Sequence, residues 1–296
     1  MSMLWAFYSI FAAFIFAASN IIDKYVISKL VKNPLSPVMI SGTIGVIISL
    51  LIYLFQGFAI LSYVNILWAF VAGILYILTI IFYFKAVNID EISRIVPIFY
   101  TSSLFILILA AIFLGEIFTP IKYLGIFLLI MGAILVSSKN ILKIRFGKSF
   151  WFMVLAALSI AASSIIVKYL LNFADFWTIF GYERFGEVFA LIPIFYLSFS
   201  DLSSSVKKFG LKSIGLMSLS ETIGLIGLLL VTIGTSIGYV TLVNALTSVQ
   251  PLFVLLFAVL ISIFYPKILK EEIGKSVVFQ KIIAIILMFI GALLII

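Results

Sequence analysis

The residues best suited to chemistry are three charged side chains inside an otherwise apolar stretch. Glu183, Arg184 and Glu187 all fall within the apolar run 177–198. A helix rises about 1.5 Å per residue, so Arg184 lies about 10 Å into this run and Glu187 lies near its middle. Glu183 and Glu187 are four residues apart and share a helix face, from which Arg184 is turned by about 100°.

Two interpretations of this group remain open. Arg184 could pair with a neighbouring carboxylate only to hold helices together. Alternatively, its guanidinium could bind an anionic group of a substrate, or a carboxylate could take up a proton. Glu221, in the apolar run 212–232, is a further carboxylate that could be a partner of Arg184 or a proton site. All four are therefore candidate substrate-binding residues.

A ten-residue phrase occurs twice in the chain. Residues 17–26 read AASNIIDKYV and residues 161–170 read AASSIIVKYL, an offset of 144 in a chain of 296 residues. A repeat at about half the chain length indicates a duplicated unit. Both copies end in a Lys-Tyr pair, and these four residues are further binding candidates: Lys24, Tyr25, Lys168 and Tyr169.

Each lysine of the repeated phrase has two interpretations. A lysine near the end of an apolar run commonly extends its amine to the lipid headgroups. Inverted copies would instead place one lysine towards each face, where charged parts of two gates belong. Three amides could line a pathway or join helices by hydrogen bonds, namely Asn20, Asn244 and Gln250.

The composition excludes a soluble protein and most enzymes. The chain is 65% hydrophobic and only 10% charged, whereas soluble domains are about a quarter charged. Cys and His are absent, which removes thiolates, the commonest general base and the commonest metal ligand. The net charge of +8 is spread thinly, so anionic lipid explains it better than nucleic acid. We expect no enzymatic activity, no metal and no cofactor.

Ten apolar runs are long enough to cross a bilayer as helices. They lie at approximately 4–22, 36–55, 65–84, 95–114, 121–138, 150–170, 177–198, 212–232, 240–262 and 277–295. The predicted fold is therefore an all-α integral membrane protein with ten transmembrane helices. Five spans form a first repeat (1–138), a connecting loop follows (139–149), and five spans form a second repeat (150–296). An odd number of spans per copy inverts the second copy relative to the first.

Later segments continue the duplication. The run 95–116 is echoed by 242–264, with Leu104-Phe105-Ile106 matching Leu252-Phe253-Val254. The fifth and tenth spans each carry a Gly-Ala pair near their ends, Gly132-Ala133 and Gly291-Ala292. Small residues there let helix backbones approach closely, which is how helices associate in a membrane.

At these residues the sequence resembles the EamA-type group of the drug/metabolite transporter superfamily. The resemblance rests on the ten-span layout, the Lys-Tyr pairs, the Leu-Gly-Glu close of the fourth span and the Ser-Val-Gln-Pro-Leu-Phe run at 248–253. It implies a secondary transporter that moves a small metabolite by alternating access in the cell membrane. The implied partners are the substrate and the lipid bilayer, with no nucleic acid and with a homodimer left open. A channel or partner subunit, and an integral-membrane enzyme acting on lipids, remain the alternatives.

Two arguments about orientation disagree. Of nineteen Lys and Arg residues, only Lys122 and Lys168 fall on one side of the predicted topology, and Arg184 lies inside a span. The positive-inside rule then places both termini outside the cell. The resemblance implies that both termini are in the cytosol.

Overall fold

The computed structural model describes residues 3–29, 35–90, 92–137, 147–264 and 275–296. Every regular element in these ranges is an α-helix, so the predicted all-α fold is confirmed for them. The helices are α1 (Leu4–Lys29), α2 (Leu35–Gln56), α3 (Tyr63–Ile89), α4 (Ile92–Phe99), α5 (Ser102–Phe113), α6 (Pro120–Ser137), α7 (Lys148–Leu170), α8 (Phe176–Phe209), α9 (Leu211–Ile237), α10 (Val240–Thr247), α11 (Gln250–Phe264) and α12 (Lys275–Ile295). Most of the predicted connecting loop 139–149 lies outside the described residues.

Eight helical segments of the described chain are long and apolar enough to cross a membrane. They are Leu4–Asp23, Leu35–Gln56, Tyr63–Ile89, Val96–Phe113, Pro120–Ser137, Lys148–Leu170, Ser213–Ile237 and Val240–Ser262. The apolar part of α12, Phe279–Ile295, is shorter, and the apolar part of α8 carries three charges. Eight of the ten predicted spans thus meet these criteria. The runs 177–198 and 277–295 stay predictions.

Two of the eight segments are broken in the middle. One is interrupted at Tyr100 and Thr101, between α4 and α5, and the other at Ser248 and Val249, between α10 and α11. Pro251 has no backbone N–H to donate to Thr247, so a continuous helix would lose a hydrogen bond there. The broken ends meet, because the hydroxyl oxygens of Ser103 and Ser248 lie 3.0 Å apart.

Several helices in the two halves have matching lengths and spacing. α3 begins at residue 63 and α9 at residue 211, an offset of 148, and both contain 27 residues. α4 and α10 also begin 148 positions apart, and both contain eight residues. α1 and α7 begin 144 positions apart, which is the offset of the repeated phrase.

The most extensive contacts pair helices from opposite halves of the chain. α1 packs on α9, α7 on α3, α2 on α8 and α6 on α12. A buried apolar cluster joins α1, α6, α10 and α12 and includes Trp5, Leu129, Leu246 and Met288. Large apolar side chains cover the outside, among them Leu54, Phe113, Tyr196 and Phe289. So much exposed apolar surface indicates a lipid environment.

The helices α6 and α12, which contain the two Gly-Ala pairs, approach each other closely. A Cβ atom on Gly291 would meet the carbonyl of Gly125 at 2.7 Å, and one on Gly132 would meet the carbonyl of Ala284 at 2.9 Å. Only glycine lets α6 and α12 approach to this distance.

Candidate functional site

Arg184 is fully buried and lies between two carboxylates of its own helix. Its Nη2 is 2.7 Å from Glu183 Oε1, and its Nη1 forms an ion pair with Glu187 Oε1. Arg184 and Glu187 have no exposed surface, and Glu183 is 2% exposed. The sequence placed these three residues together correctly, because α8 brings positions 183, 184 and 187 onto adjoining faces. The group carries one positive and two negative charges.

The neighbouring helices fit closely around this group. Arg184 Cζ lies 4.1 Å from the ring centroid of Tyr76 on α3 and 5.3 Å from that of Phe180. Gly73 of α3 lies so close to α8 that an added Cβ would collide with the carbonyl of Glu183. An added Cβ on Gly45 of α2 would collide with Glu187 Oε2. Because Gly45 and Gly73 have no side chain, α8 and its charged residues fit against α2 and α3.

A second polar group joins α1 to α9. The Ser220 hydroxyl donates to Asp23 Oδ1 at 2.5 Å, and the Ser19 hydroxyl lies 3.0 Å from the carbonyl of Ser220. Glu221 follows Ser220, faces Ser41 of α2, and lies within electrostatic reach of Asp23 and Glu187. The predicted candidate Glu221 thus lies between the two polar groups.

A related contact joins α7 to α3. The Ser163 hydroxyl donates to the carbonyl of Ala72 at 3.0 Å and lies 3.4 Å from Glu183 Oε1. Ser163 is the residue that matches Ser19 in the repeated phrase. Ala72 matches Ser220 at the 148-residue offset of α3 and α9. The same hydrogen bond therefore occurs twice.

Lys168 turns inward onto the end of α9. Its Nζ donates to the carbonyls of Thr235 at 2.8 Å and Gly238 at 2.7 Å. Carbonyls at the end of a helix lack partners within the helix, and a cation there is favourable. This position differs from the headgroup-facing alternative that the sequence left open.

Glu116 holds the beginning of α10. Its two carboxylate oxygens accept the N–H groups of Val240 at 2.9 Å and Thr241 at 3.1 Å. These are the first amides of α10, which have no partner in the helix. Together with Lys168, Glu116 fixes the turn between α9 and α10.

Two cavities are lined by neighbouring residues of α7 and α9. The outer cavity has a volume of about 320 Å³ and is lined by Leu114, Glu116, Lys168, Asn172, Ser236, Ile237, Gly238 and Tyr239. The inner cavity measures about 20 Å³, and its lining includes Glu183, Ser163, Ser164, Thr232, Thr235, Val240 and Asn244.

The remaining predicted site residues have different positions. Asn244 lines the inner cavity and donates to the carbonyl of Val240 at 2.9 Å. Asn20 is half-buried beside Ser19, and Gln250 is half-buried where α11 begins. Tyr25 and Tyr169 are 40% and 43% exposed, so the structure does not bring their rings into the centre. The side chain of Lys24 lies outside the described residues.

Sequence reasoning missed several residues of the site. Asp23 was not among the predicted site residues, although it shares the polar group of Ser19 and Ser220. The sequence does not single out Tyr76, because one tyrosine in an apolar run looks the same as a residue that only packs. Ser19 and Ser163 had a usable signal, since they match each other inside the repeated phrase.

Comparison with known families supports the resemblance. Residues 3–138 match the model of the EamA-like transporter family. The match supports the resemblance over residues 3–138, a little under half of the chain. The protein is thus a multi-pass integral membrane protein.

Solved structures share the fold along nearly the whole chain. A crystal structure described only as that of a protein covers 99% of this chain and 95% of its own, with a TM-score of 0.64 and 15% sequence identity. At this identity the likeness concerns the fold alone. No curated protein sequence matches this chain.

Proposed function

We propose that the protein is a secondary transporter that carries a small metabolite across the cell membrane by alternating access. A gradient or substrate exchange drives it. Its ten spans form two inverted repeats of five, residues 1–138 and 150–296, joined by residues 139–149. In this arrangement the broken pairs α4–α5 and α10–α11 each count as one span.

The duplicated serine contact carries this proposal. Ser19 donates to the Ser220 carbonyl on α9, and Ser163 donates to the Ala72 carbonyl on α3, both at 3.0 Å. Inverted repeats place two such equivalent contacts on opposite sides of the polar centre. Alternating access requires two such closures, one of which opens while the other stays shut.

The proposed substrate lies between these two contacts. Its proposed contacts are Glu183, Arg184, Glu187 and Glu221, with Asn20, Asn244 and Gln250 as further candidates. Lys24 and Lys168 would act near the two openings. Tyr25 and Tyr169 are left out of the proposed site because their rings are exposed.

A thermal-shift screen of the purified protein would identify the class of substrate. The probes are amino acids, sugar phosphates, nucleotide sugars, polyamines and organic cations. A compound that binds the folded protein stabilises it by RT ln(1 + [L]/Kd), so its apparent unfolding temperature rises with the concentration of the compound. Hits should then show saturable, trans-stimulated uptake into vesicles that contain the protein. Unsaturable flux would support a channel instead.

Cross-linking across one serine contact tests alternating access directly. The chain has no cysteine, so the pair Ser19→Cys and Ser220→Cys can be introduced into a clean background. Their hydroxyl oxygens are 3.1 Å apart, which favours formation of a bond between the replacement thiols. Oxidation of the double variant should stop uptake, and reduction should restore it. Oxidation should leave uptake by each single variant unchanged. Undiminished uptake by the oxidised pair would contradict the proposal.

A further inference from the structure

The outer cavity lies at one membrane end of the protein. Three of the apolar segments that are long enough to cross a membrane end beside it, at Phe113, Leu170 and Ile237. Leu114 and Lys168, which line the cavity, lie within two positions of these ends. The ends of membrane spans lie where the hydrocarbon core gives way to the lipid headgroups. The cavity of about 320 Å³ is therefore at the level of the headgroups.

Two charged side chains of opposite sign line the cavity, Glu116 and Lys168. Lys168 Nζ has three N–H donors, of which two are used on the carbonyls of Thr235 and Gly238. The Glu116 carboxylate is 4% exposed and accepts one backbone N–H at each oxygen, although each of these oxygens has a second lone pair. One cationic donor and further anionic acceptor positions therefore remain for a ligand. A ligand that carries both charges would use both.

The surface around the cavity is apolar. Phe113, Ile117 and Phe173 are chain neighbours of lining residues, and each is more than half exposed. Ile237 and Tyr239 line the cavity and are exposed as well. Hydrocarbon chains are stabilised on exposed apolar side chains of this kind, whereas a small water-soluble ion gains nothing from them. The surroundings therefore favour a lipid over a free solute.

A phosphoethanolamine headgroup matches both the volume and the charges of the cavity. Pockets for small molecules measure about 300–1,000 Å³, so this cavity has room for a headgroup but not for acyl chains. The phosphate would accept the third N–H of Lys168, and the primary ammonium would donate to Glu116.

Two other common headgroups match the cavity less well. The quaternary ammonium of phosphocholine has no N–H to donate to Glu116. Such a group is recognised by cages of aromatic rings, and among the described lining residues only Tyr239 is aromatic. A phosphoglycerol headgroup brings a negative charge and no cation, so it also leaves Glu116 without a charged donor. The cavity therefore favours a primary ammonium.

We propose that the outer cavity binds the headgroup of phosphatidylethanolamine, with the phosphate on Lys168 and the ammonium on Glu116. The acyl chains lie outside the cavity, on the apolar side chains around it. Lys168 belongs to α7 and Glu116 follows α5, and both contact the turn between α9 and α10. One bound lipid therefore joins these helices at the membrane end. The site adds a lipid partner to the proposed transport function and does not depend on it.

Native mass spectrometry of the delipidated protein in detergent measures this binding. The probes are phosphatidylethanolamine, phosphatidylcholine and phosphatidylglycerol with identical acyl chains. We expect phosphatidylethanolamine to bind about tenfold more tightly than either of the others, because only its ammonium donates to Glu116. Equal binding of the three lipids would overturn the proposal.

Soluble phosphoethanolamine distinguishes a lipid site from a site for a free solute. It carries the same charged groups but no acyl chains, so it should displace bound phosphatidylethanolamine only when present in large excess. Displacement at equal concentration would refute the lipid and would identify the cavity as a site for soluble zwitterions.

Variants of the two charged residues test the contacts, with Lys122→Ala as the matched control. Lys122 also donates to a carbonyl at a helix end, that of Ile295, but it is not a lining residue of the outer cavity. Lys168→Ala should weaken the binding of phosphatidylethanolamine about tenfold, and Glu116→Gln should lower it to the level of phosphatidylcholine. Lys122→Ala should bind like the wild type. Equal weakening in Lys122→Ala and Lys168→Ala would contradict the proposed contact.

A blocking variant keeps the test decisive even where a charged-residue variant fails to fold. Asn172 lines the cavity and is exposed, so Asn172→Trp fills the cavity without removing a charge. It should lose the preference for phosphatidylethanolamine, whereas Phe173→Trp, at an exposed position outside the lining, should keep it. Persistence of the preference in Asn172→Trp would overturn the lipid site. If uptake also stopped in that variant, the cavity would belong to the path of the substrate instead.

Discussion

The guanidinium of Arg184 lies against the ring face of Tyr76, with Cζ 4.1 Å from the ring centroid. This contact joins α8 to α3 in addition to the ion pairs within α8. A cation over an aromatic ring that is shielded from water stabilises a protein by up to about 2 kcal/mol.

Replacement of Tyr76 separates the role of the ring from that of the hydroxyl. We expect Tyr76→Leu to lower the free energy of unfolding by about 1–2 kcal/mol, because the ring is lost. Tyr76→Phe keeps the ring and should unfold near the wild-type temperature. Thermal unfolding of both variants in one detergent gives the comparison. Equal loss in both would show that the hydroxyl, and not the ring, matters.

Removal of Arg184 alone should destabilise the protein more than removal of the whole charged group. Arg184→Gln leaves Glu183 and Glu187 buried without a cation, which costs about 3–5 kcal/mol. Neutralising all three residues with glutamine removes the uncompensated charge, so this triple variant should unfold at a higher temperature than Arg184→Gln.

Transport by Arg184→Gln and by the triple variant tests whether the charged group also binds substrate. Both should lose uptake, because each lacks the guanidinium at the centre of the proposed site. A triple variant that regains stability and also transports at the wild-type rate would show that the group only supports the fold.

The sequence predicted the helices because a membrane span is recognisable as a long run of apolar residues. Lipid offers no hydrogen bonds, so apolar runs of sufficient length must be helical. The bounds were predicted less well, since α8 continues to Phe209 although the predicted run ended at 198. The repeat was visible because residues 17–26 and 161–170 match. The breaks within the fourth and ninth runs were missed, since both runs are apolar on each side of Thr101 and Val249.

The site was only partly predictable for a physical reason. Glu183, Arg184 and Glu187 are close in sequence, so helix geometry alone brings them together. The contacts of Arg184 with Tyr76, and of Asp23 with Ser220, join residues more than 100 positions apart. A single sequence does not specify which apolar helices pack against each other. It therefore does not specify which polar groups come together. Lys168 illustrates this, since its carbonyl partners lie on α9.

Lys168 and Lys122 allow a matched test of a gate. Lys168 donates to Thr235 and Gly238 on α9, and Lys122 donates to the carbonyl of Ile295 on α12 at 2.9 Å. Hydrogen bonds from charged groups contribute about 1.5–3 kcal/mol, so both Lys→Ala variants should lose stability. We expect only Lys168→Ala to reduce uptake as well, because Lys168 lines the outer cavity. Equal reduction of uptake in both variants would argue against a gate at Lys168.

The approach of α3 to α8 gives the sharpest test of the helix packing. An added Cβ on Gly73 collides with the carbonyl of Glu183 and lies 3.0 Å from the amide nitrogen of Glu187, and backbone atoms cannot swing aside. We expect Gly73→Ala to cost about 1–3 kcal/mol, as overpacked cores do, and to disturb the charged group behind it.

Gly215 is the matched control, because it is also a helical glycine but has no heavy atom within 4 Å of an added Cβ. Gly215→Ala should leave stability unchanged or raise it by about 0.5–1 kcal/mol, since alanine loses less backbone freedom in a helix. Unfolding temperatures of the two variants measure the difference. A Gly73→Ala variant as stable as Gly215→Ala would mean that α3 and α8 are farther apart than described.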